Sequence, residues 1–495
     1  MDYLDKLLSE VLSIRETFGV EPERGIPTSV EVKDLPATIH TTSSFGIDGK
    51  LLLSSELLKY ADFLIKKEAF SLFIPPEADS VPQVHDLAWA YSGAPEGVWK
   101  SLRIKAPRPF TNYDPILLFS LIPREAKLRV IGESLLYVKA STKRGEFTLE
   151  GYIYLLNKFL ASELKLTEVD RKIIEVLSSN PYANVKLIKR ETGVSEASIS
   201  RSIRKLKTAG CIFGPENVKL WKLGLITILA SYPNKRNFRD AFWKFPYTYT
   251  QLIPVSGGER VHAYLVTPGS SIVGLERLKK FGIEIGIIKR TVQRFNFNHP
   301  SDPMDAMVRA YLRSRTSEEV RSTQPSRPPV KLTRKDIAVL NQVMREGRVS
   351  SALLSRAGIK SAKQRLGKLR SSGIIGNYYV VGLPLGYEIT LFRLACPHSE
   401  AERLASTLAS VTTAVVHYVE GKSRYCLALA FSQKELKSDL LRGIRVIYGD
   451  EVEQAGEVMN LQSLWLIPEE LWDESKQAFS WEEPLEELMC RLEGS

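Results

Sequence analysis

The chain is 495 residues long, 44% hydrophobic and 25% charged, with a formal net charge of +11. This is the composition of a soluble globular protein with room for three or more domains, each with its own core. The four cysteines, Cys211, Cys396, Cys426 and Cys490, are scattered with no C-x-x-C pair. Neither a disulfide framework nor a zinc site is suggested; a reducing cytoplasm fits, and no cofactor is expected. No apolar run approaches the roughly 18 residues that a membrane span requires, so no membrane partner is expected.

The N-terminal stretch "MDYLDKLLSEVLSIRETFG" carries Asp2, Asp5 and Glu10 where a signal peptide would place positive charge. Its Leu4, Leu7, Leu8, Val11 and Leu12 recur at helical spacing and predict an amphipathic helix. Further on, "LLSSELLKYADFLIKK" and "FTLEGYIYLLNKFLASEL" read as helices, whereas "WKSLRIKAP" and "KLRVIGESLLYVKAS" read as strands. Residues 1–165 therefore form an N-terminal domain of α/β type, long enough to fold alone and matching no functional motif.

From Leu166 onward the chain repeats itself. The segment "LTEVDRKIIEVL…NVKLIKRETGVSEASISRSIRKLKTAGCIFG" is followed by a β-rich run to Asn298. About 165 residues later "LTRKDIAVLNQVM…SALLSRAGIKSAKQRLGKLRSSGIIG" is followed by another, to Pro468. That spacing indicates a duplicated domain pair, since solenoid repeats are roughly 20–50 residues. The positive charge sits here: residues 166–468 carry 46 basic against 26 acidic residues, whereas residues 1–165 carry 20 against 22 and residues 469–495 carry 2 against 9. A polyanion gains most from such a surface, through release of counterions.

In the first copy, Val169, Ile173, Val176 and Leu177 form the core face of one helix, and a short second helix ends at Gly193. Ser195 is placed to cap a third helix, in which Ile199, Ile203 and Leu206 face inward. The opposite face collects Ala197, Ser198, Arg201, Arg204, Lys205 and Thr208. Small residues near the start can approach base edges, and the cations that follow can meet phosphates, as a recognition helix requires. "CIFGPENVKLWKL" then reads as a two-stranded wing whose Lys219 and Lys222 reach the nucleic-acid backbone.

The opening "LTEVDRKIIEVL", the helix-turn-helix "KRETGVSEASISRSIRKLKTAG" and the strand pair after it resemble the DNA-binding half of the leucine-responsive regulator (Lrp/AsnC) family. In that family a ferredoxin-like βαββαβ module follows, serving in dimerisation and effector binding. The resemblance implies such a module at 223–298, after a winged helix-turn-helix at 166–222. It also implies a second winged helix-turn-helix at 332–384 and a second ferredoxin-like module at 385–468, with a connector at 299–331 before them. The acidic tail at 469–495, with Trp472 and Trp481, reads as a helix packed on its own domain. The fold class expected is thus multidomain α+β. The connector includes a possible helix, "PMDAMVRAYLRSRTSEEVR", and an extended "STQPSRPPVK".

The second copy departs from the first. Gly358 to Gly373 is two residues shorter than Gly193 to Gly210, with the loss at the start of the recognition helix. Ala362, Leu366 and Leu369 take the core face, leaving Lys360, Lys363, Gln364, Gly367 and Lys368 outward, a surface suited to phosphates more than to bases. The resemblance also implies a small-molecule effector at glycine turns, here Gly257 and Gly258 in "SGGERV" and Gly421 in "EGKSRY", although the acidic residue of the family turn is not kept. The expected partners are duplex DNA, an effector and the transcription machinery, with an intramolecular pseudo-dimer or a homo-oligomer.

Two alternatives stand beside this reading. One is a winged-helix factor acting on RNA or on the transcription or translation machinery. The other is an enzyme, because some relatives of these regulators are sirohaem decarboxylases. His262 and His417 fall on non-equivalent strands, and no phosphate-cradling or nucleophile-elbow motif occurs, so no enzyme is expected.

Overall fold

The computed structural model describes residues 3–33, 43–45, 50–54, 60–81, 84–94, 119, 122–163, 166–255, 260–297, 300–314, 325–356, 358–382, 388–432, 434–462 and 465–493. The chain divides into two units, Met1–Lys165 and Leu166–Ser495. In the first, α1 (Tyr3–Phe18) buries Leu7, Val11 and Ile14 and leaves Leu8 and Leu12 exposed. Strands β1 (Ser29–Lys33), β2 (Ser43–Phe45) and β3 (Lys50–Ser54) form a sheet in the order β1-β3-β2, with β1 parallel to β3. Helices α2 (Ala61–Ser71), α3 (His85–Ser92), α4 (Arg124–Lys143) and α5 (Leu149–Glu163) follow. The strand expected at 127–141 is instead the interior of α4. Its buried Val130, Ile131, Leu135 and Val138 recur at helical spacing, and that periodicity outweighs the β-branched pair. The strand expected at 99–107 lies outside the described residues.

The first half of the second unit opens with α6 (Glu168–Ser179), α7 (Val185–Thr192) and α8 (Glu196–Thr208), then two short strands, β4 (Ile212–Phe213) and β5 (Glu216–Val218). It continues with β6 (Leu225–Pro233), α9 (Arg236–Lys244), β7 (Thr248–Pro254), β8 (Arg260–Pro268), α10 (Ile272–Leu275) and β9 (Glu284–Arg294). Helix α11 (Pro303–Arg313) leads to the second half. There α12 (Arg334–Glu346), α13 (Ser351–Arg356) and α14 (Ala362–Ser371) precede β10 (Ile375–Asn377) and β11 (Val380–Val381). Then come β12 (Glu388–Leu394), α15 (Glu400–Ala409), β13 (Thr413–Gly421), β14 (Arg424–Ser432), α16 (Lys437–Tyr448) and β15 (Val452–Gln462). Each β-rich segment therefore runs strand-helix-strand-strand-helix-strand.

These eight strands close into one barrel in the order β12-β14-β13-β9-β6-β8-β7-β15. Within each half the spatial order is fourth, first, third, second, which leaves two edge strands. Each edge pairs antiparallel with an edge of the other half, β9 with β13 and β7 with β15, so no edge is left open. Side chains alternate along each strand. On β14, Tyr425, Leu427, Leu429 and Phe431 point inward to meet Leu229, Leu252, Leu391 and Val458. The intervening Cys426, Ala428 and Ala430 lie outward in the core beneath α15 and α16, with Leu404, Leu408, Leu440 and Ile444. Small residues there let the helices approach the sheet.

Two segments are more integrated than the sequence implies. Residues 303–313 of the expected connector are a packed helix: Met307 of α11 is fully buried in the second-half core and sits over Gly443 of α16. Residues 325–327 are exposed and extended, held where Ser326 N donates to Trp221 O over 2.9 Å. The acidic tail forms the strand pair β16 (Trp472–Asp473) and β17 (Ala478–Phe479), then helix α17 (Glu482–Glu493). This helix packs on the first half, not on its own module. Trp481 lies against Gly274, and Glu486 and Glu493 pair with Arg277 and Lys280. No helix among the described residues is long and apolar enough to cross a membrane.

Because each half contributes a block of four strands and the two blocks join at both edges, the barrel interior is one cooperative core. Leu391→Ala, at a fully buried inward position, is expected to cost about 2–5 kcal/mol. Urea unfolding followed by circular dichroism should show residues 166–495 lost in a single shifted transition, not with one half surviving.

Candidate nucleic-acid interface

Both three-helix heads start from the same local chemistry. Thr167 and Thr333 cap α6 and α12 through reciprocal capping boxes, in which Asp170 and Asp336 accept from the backbone N–H of their threonine. Both aspartates are also buried, 1% and 0% exposed, and a buried carboxylate needs partners. In the first head Asp170 accepts from Lys205 Nζ at 2.6 Å and from Ser202 Oγ, both on α8. In the second head Asp336 accepts from Arg365 Nη1 at 2.6 Å and Lys368 Nζ at 2.7 Å, both on α14. Each recognition helix is thus bolted to its first helix by a carboxylate. Burial alone would raise both carboxyls, but these donated hydrogen bonds hold them below the usual carboxylate range.

The predicted contact residues sort accordingly. In the first head Ser195 caps α8, accepting from Ser198 N at 3.3 Å. Ala197, Arg201 and Arg204 are exposed, and Arg201 Nη2 reaches Ser198 Oγ at 3.3 Å. Ile199 and Leu206 face the core, while Ile203 is only half-buried. Lys205 is turned toward Asp170. In the second head Lys360, Lys363 and Gln364 are exposed, and Lys368 is turned toward Asp336. The two-residue loss leaves its mark at the helix start: Ser361 sits in the left-handed region at φ 57° and its side chain caps nothing. Arg365 Nε instead donates to Lys360 O at 3.2 Å. An open groove of ≈ 760 Å³ lies at this turn, lined by Ser351, Ser355, Ser361, Lys363 and Gln364.

The wing is not the hairpin expected. Strands β4 and β5 do not pair with one another; β4 pairs antiparallel with β11, and β5 with β10, of the other head. Lys219 N donates to Ile374 O at 2.9 Å, with its ammonium 5.8 Å from the Trp221 ring centre. Lys222 Nζ donates to Ser372 O at 3.1 Å, just past the end of α14. Arg370 of α14 pairs with Glu216 at 2.7 Å, and Tyr379 N donates to Pro181 O at 2.7 Å. The heads are therefore a single interlocked body. Of the effector glycines, Gly257 and Gly258 lie outside the described residues. Gly421 ends β13, where a Cβ would come within 2.4 Å of Ile285 O, so close backbone approach requires glycine there.

Missing from the sequence reading was the role of the two aspartates. The recurring Thr-x-x-Asp at 167–170 and 333–336 was the visible signal, and it reads first as a helix cap.

Residues 166–212 match the family profile described as winged helix-turn-helix DNA-binding, so the first head is a winged helix-turn-helix DNA-binding domain. No curated protein matches the chain. Among solved structures it is similar to the siroheme decarboxylase NirDL, at 13% identity over 66% of this chain and 100% of that one, with a TM-score of 0.34. The co-complex of NirDL with an iron-uroporphyrin III analogue gives 12% identity, 66% and 99% coverage, and a TM-score of 0.31. PH0061 gives 18% identity over 27% of this chain and 99% of that one, with a TM-score of 0.20.

The depressed aspartate pKa values carry a pH signature. A carboxyl lowered on folding stabilises the native state fully above its unfolded value of about 3.9, and that contribution is lost as pH falls through the folded value. Asp336→Asn is expected to cost about 1–3 kcal/mol near neutrality. Melting curves recorded from pH 7 to pH 3 should show the variant and the parent converging below about pH 4.

Proposed function

We propose that the chain is a DNA-binding transcription regulator that lays two joined basic heads on duplex DNA. The observation that carries this is the outward face of α8 in a winged helix-turn-helix DNA-binding domain. A capped helix presents Ala197, Arg201 and Arg204 to solvent, while Lys205 is held inward on Asp170. In this reading the chain is a tandem of units of the Lrp/AsnC type. Each βαββαβ segment is a ferredoxin-like module, and the barrel is the pseudo-dimer that the family builds from two chains. The protein is non-catalytic, and its effects on transcription follow from occupancy of DNA. Interlocked wings fix the distance between heads, and the differing α8 and α14 favour an asymmetric target over a palindrome.

Duplex affinity measured against salt tests this directly. Replacing Arg201 and Arg204 together with Ala should weaken binding and lower the salt slope by about 2 if both meet phosphates. An unchanged slope removes α8 from the interface. Crosslinking of the native protein in its own cells should recover discrete duplex sites sharing an asymmetric motif; enrichment of RNA instead overturns the reading.

A further inference from the structure

The barrel interior is not uniformly apolar. On its inward face β8 carries His262 and Tyr264, β13 carries His417, and β15 carries Gln454, Gly456 and Val458. His262 is fully buried, and its Nε2 lies 3.0 Å from Gln454 Oε1. Gln454 directs its Nε2 at Arg260 O, 3.4 Å away, so the oxygen faces the histidine. The proton is therefore on His262 Nε2, and Nδ1 is a bare acceptor. Among the described residues that Nδ1 has no hydrogen-bond partner, nor has the hydroxyl of Tyr264, which is 8% exposed. Two buried polar atoms without partners, two residues apart on one strand face, are costly unless something else supplies the bonds.

Open space lies on the strand that carries Gln454. Gly456 lies two residues along β15 from Gln454 on the same inward face, and a Cβ built there would meet nothing within 4 Å. Gly286 occupies the corresponding place in the other half: Gly456 pairs with Leu391, and Gly286 with Leu229. At Gly286 the room is taken, because a Cβ there would lie 2.4 Å from Val419 Cγ1. Gln454 and Gly456 are partly exposed although they point inward, so the space opens outward here and a ligand has a way in. The Tyr264 ring lies 5.4 Å, centre to centre, from that of His417, whose Nδ1 is 2.9 Å from Thr291 Oγ1.

The charge inside is balanced. Arg393 donates to Glu453 at 2.6 Å and Glu284 at 3.0 Å, and Arg260 lies 3.9 Å from Glu284. Burial pushes both His262 and His417 down to about 4, so both are neutral near pH 7. An entering carboxylate or ammonium would find no unpaired counter-charge.

We propose that this inward space, bordered by His262, Tyr264 and Gly456, binds a small uncharged molecule that is apolar over most of its surface. It presents an O–H or N–H donor to His262 Nδ1 and an acceptor to the Tyr264 hydroxyl, with Leu391 and Val458 against its body. A phenol has this chemistry; a free amino acid or a polycarboxylate does not. The site does not depend on duplex binding, but if duplex binding holds, this ligand is the regulator's effector.

The test uses the full-length protein and fluorine NMR, with para-fluorophenol as probe and para-fluorobenzoate and para-fluorophenylalanine as comparators. Saturable line broadening is expected for the phenol and not for the other two. Tyr264→Phe, which removes only the hydroxyl, should weaken binding roughly five- to tenfold. Gly456→Val should abolish binding while leaving the melting temperature unchanged or raised, because the side chain enters open space in a strand. Absence of saturable broadening by the phenol overturns the proposal, as does equal broadening by the carboxylate or the amino acid. Binding that survives Gly456→Val, or a loss of thermal stability in that variant, overturns it as well. Duplex affinity of the same samples is read separately, so the failure of either reading is distinguishable from that of the other.

Discussion

Pairing between strands of the two halves is the constraint on which the rest of residues 166–495 depends. Neither βαββαβ segment can satisfy its own edges. Each supplies two strands whose outer hydrogen bonds are completed by the other half, at β9 with β13 and at β7 with β15. The same exchange recurs in miniature at the heads, where β4 and β5 separate to pair with β11 and β10. The tail adds a third crossing, with α17 seated on the first half and Trp472 Nε1 donating to Leu332 O at the start of the second head. Three independent connections resist the same motion, so relative movement of the heads must break barrel, wing and tail contacts together.

That rigidity changes what the basic residues do. A free helix-turn-helix would offer every outward cation of its third helix to a polyanion. Here Lys205, Lys368 and Arg365 neutralise buried aspartates, Lys222 ties the wing to Ser372, and Arg370 answers Glu216. The cations of the third helices thus divide between those that assemble the heads and those that face solvent, among them Arg201 and Arg204 on one head and Lys363 on the other. The heads differ most where α14 begins at an uncapped, left-handed Ser361 whereas α8 begins at a capping Ser195. The start of α14 therefore lacks the side-chain cap that satisfies an N–H at the start of α8.

Much of this was legible from residue patterns because it is local. Helical periodicity placed α6, α8, α12 and α14, glycines marked the ends of α7, α8 and α14, and the β-rich runs after each head followed the order that the family resemblance implies. The misreadings have a common cause. "CIFGPENV" has the composition of a hairpin, and nothing in it states that each strand finds its partner some 160 residues away. Residues 303–313 look like a linker helix until Met307 is seen beneath Gly443. In 127–141, the β-branched Val130 and Ile131 suggest a strand locally, whereas the recurrence of Val130, Leu135 and Val138 on one face is that of a helix. Long-range pairing and the choice of packing partner are not encoded in any short window.

Carrying both halves in one chain also permits what two identical chains could not build. Glu284 pairs in register with Ser231 on β6, and Gln454 pairs in the same way with Arg393 on β12. The corresponding positions carry different residues, and their side chains answer different partners: Glu284 accepts from Arg393, and Gln454 accepts from His262. In a symmetric dimer each position would hold the same residue twice, and a barrel lined by two glutamates would need two matching cations. With a neutral amide at the second position, a single neutral histidine is satisfied on one nitrogen and left open on the other. The asymmetry of the heads and that of the barrel lining share one condition, since covalent linkage lets corresponding positions of the two halves carry different residues.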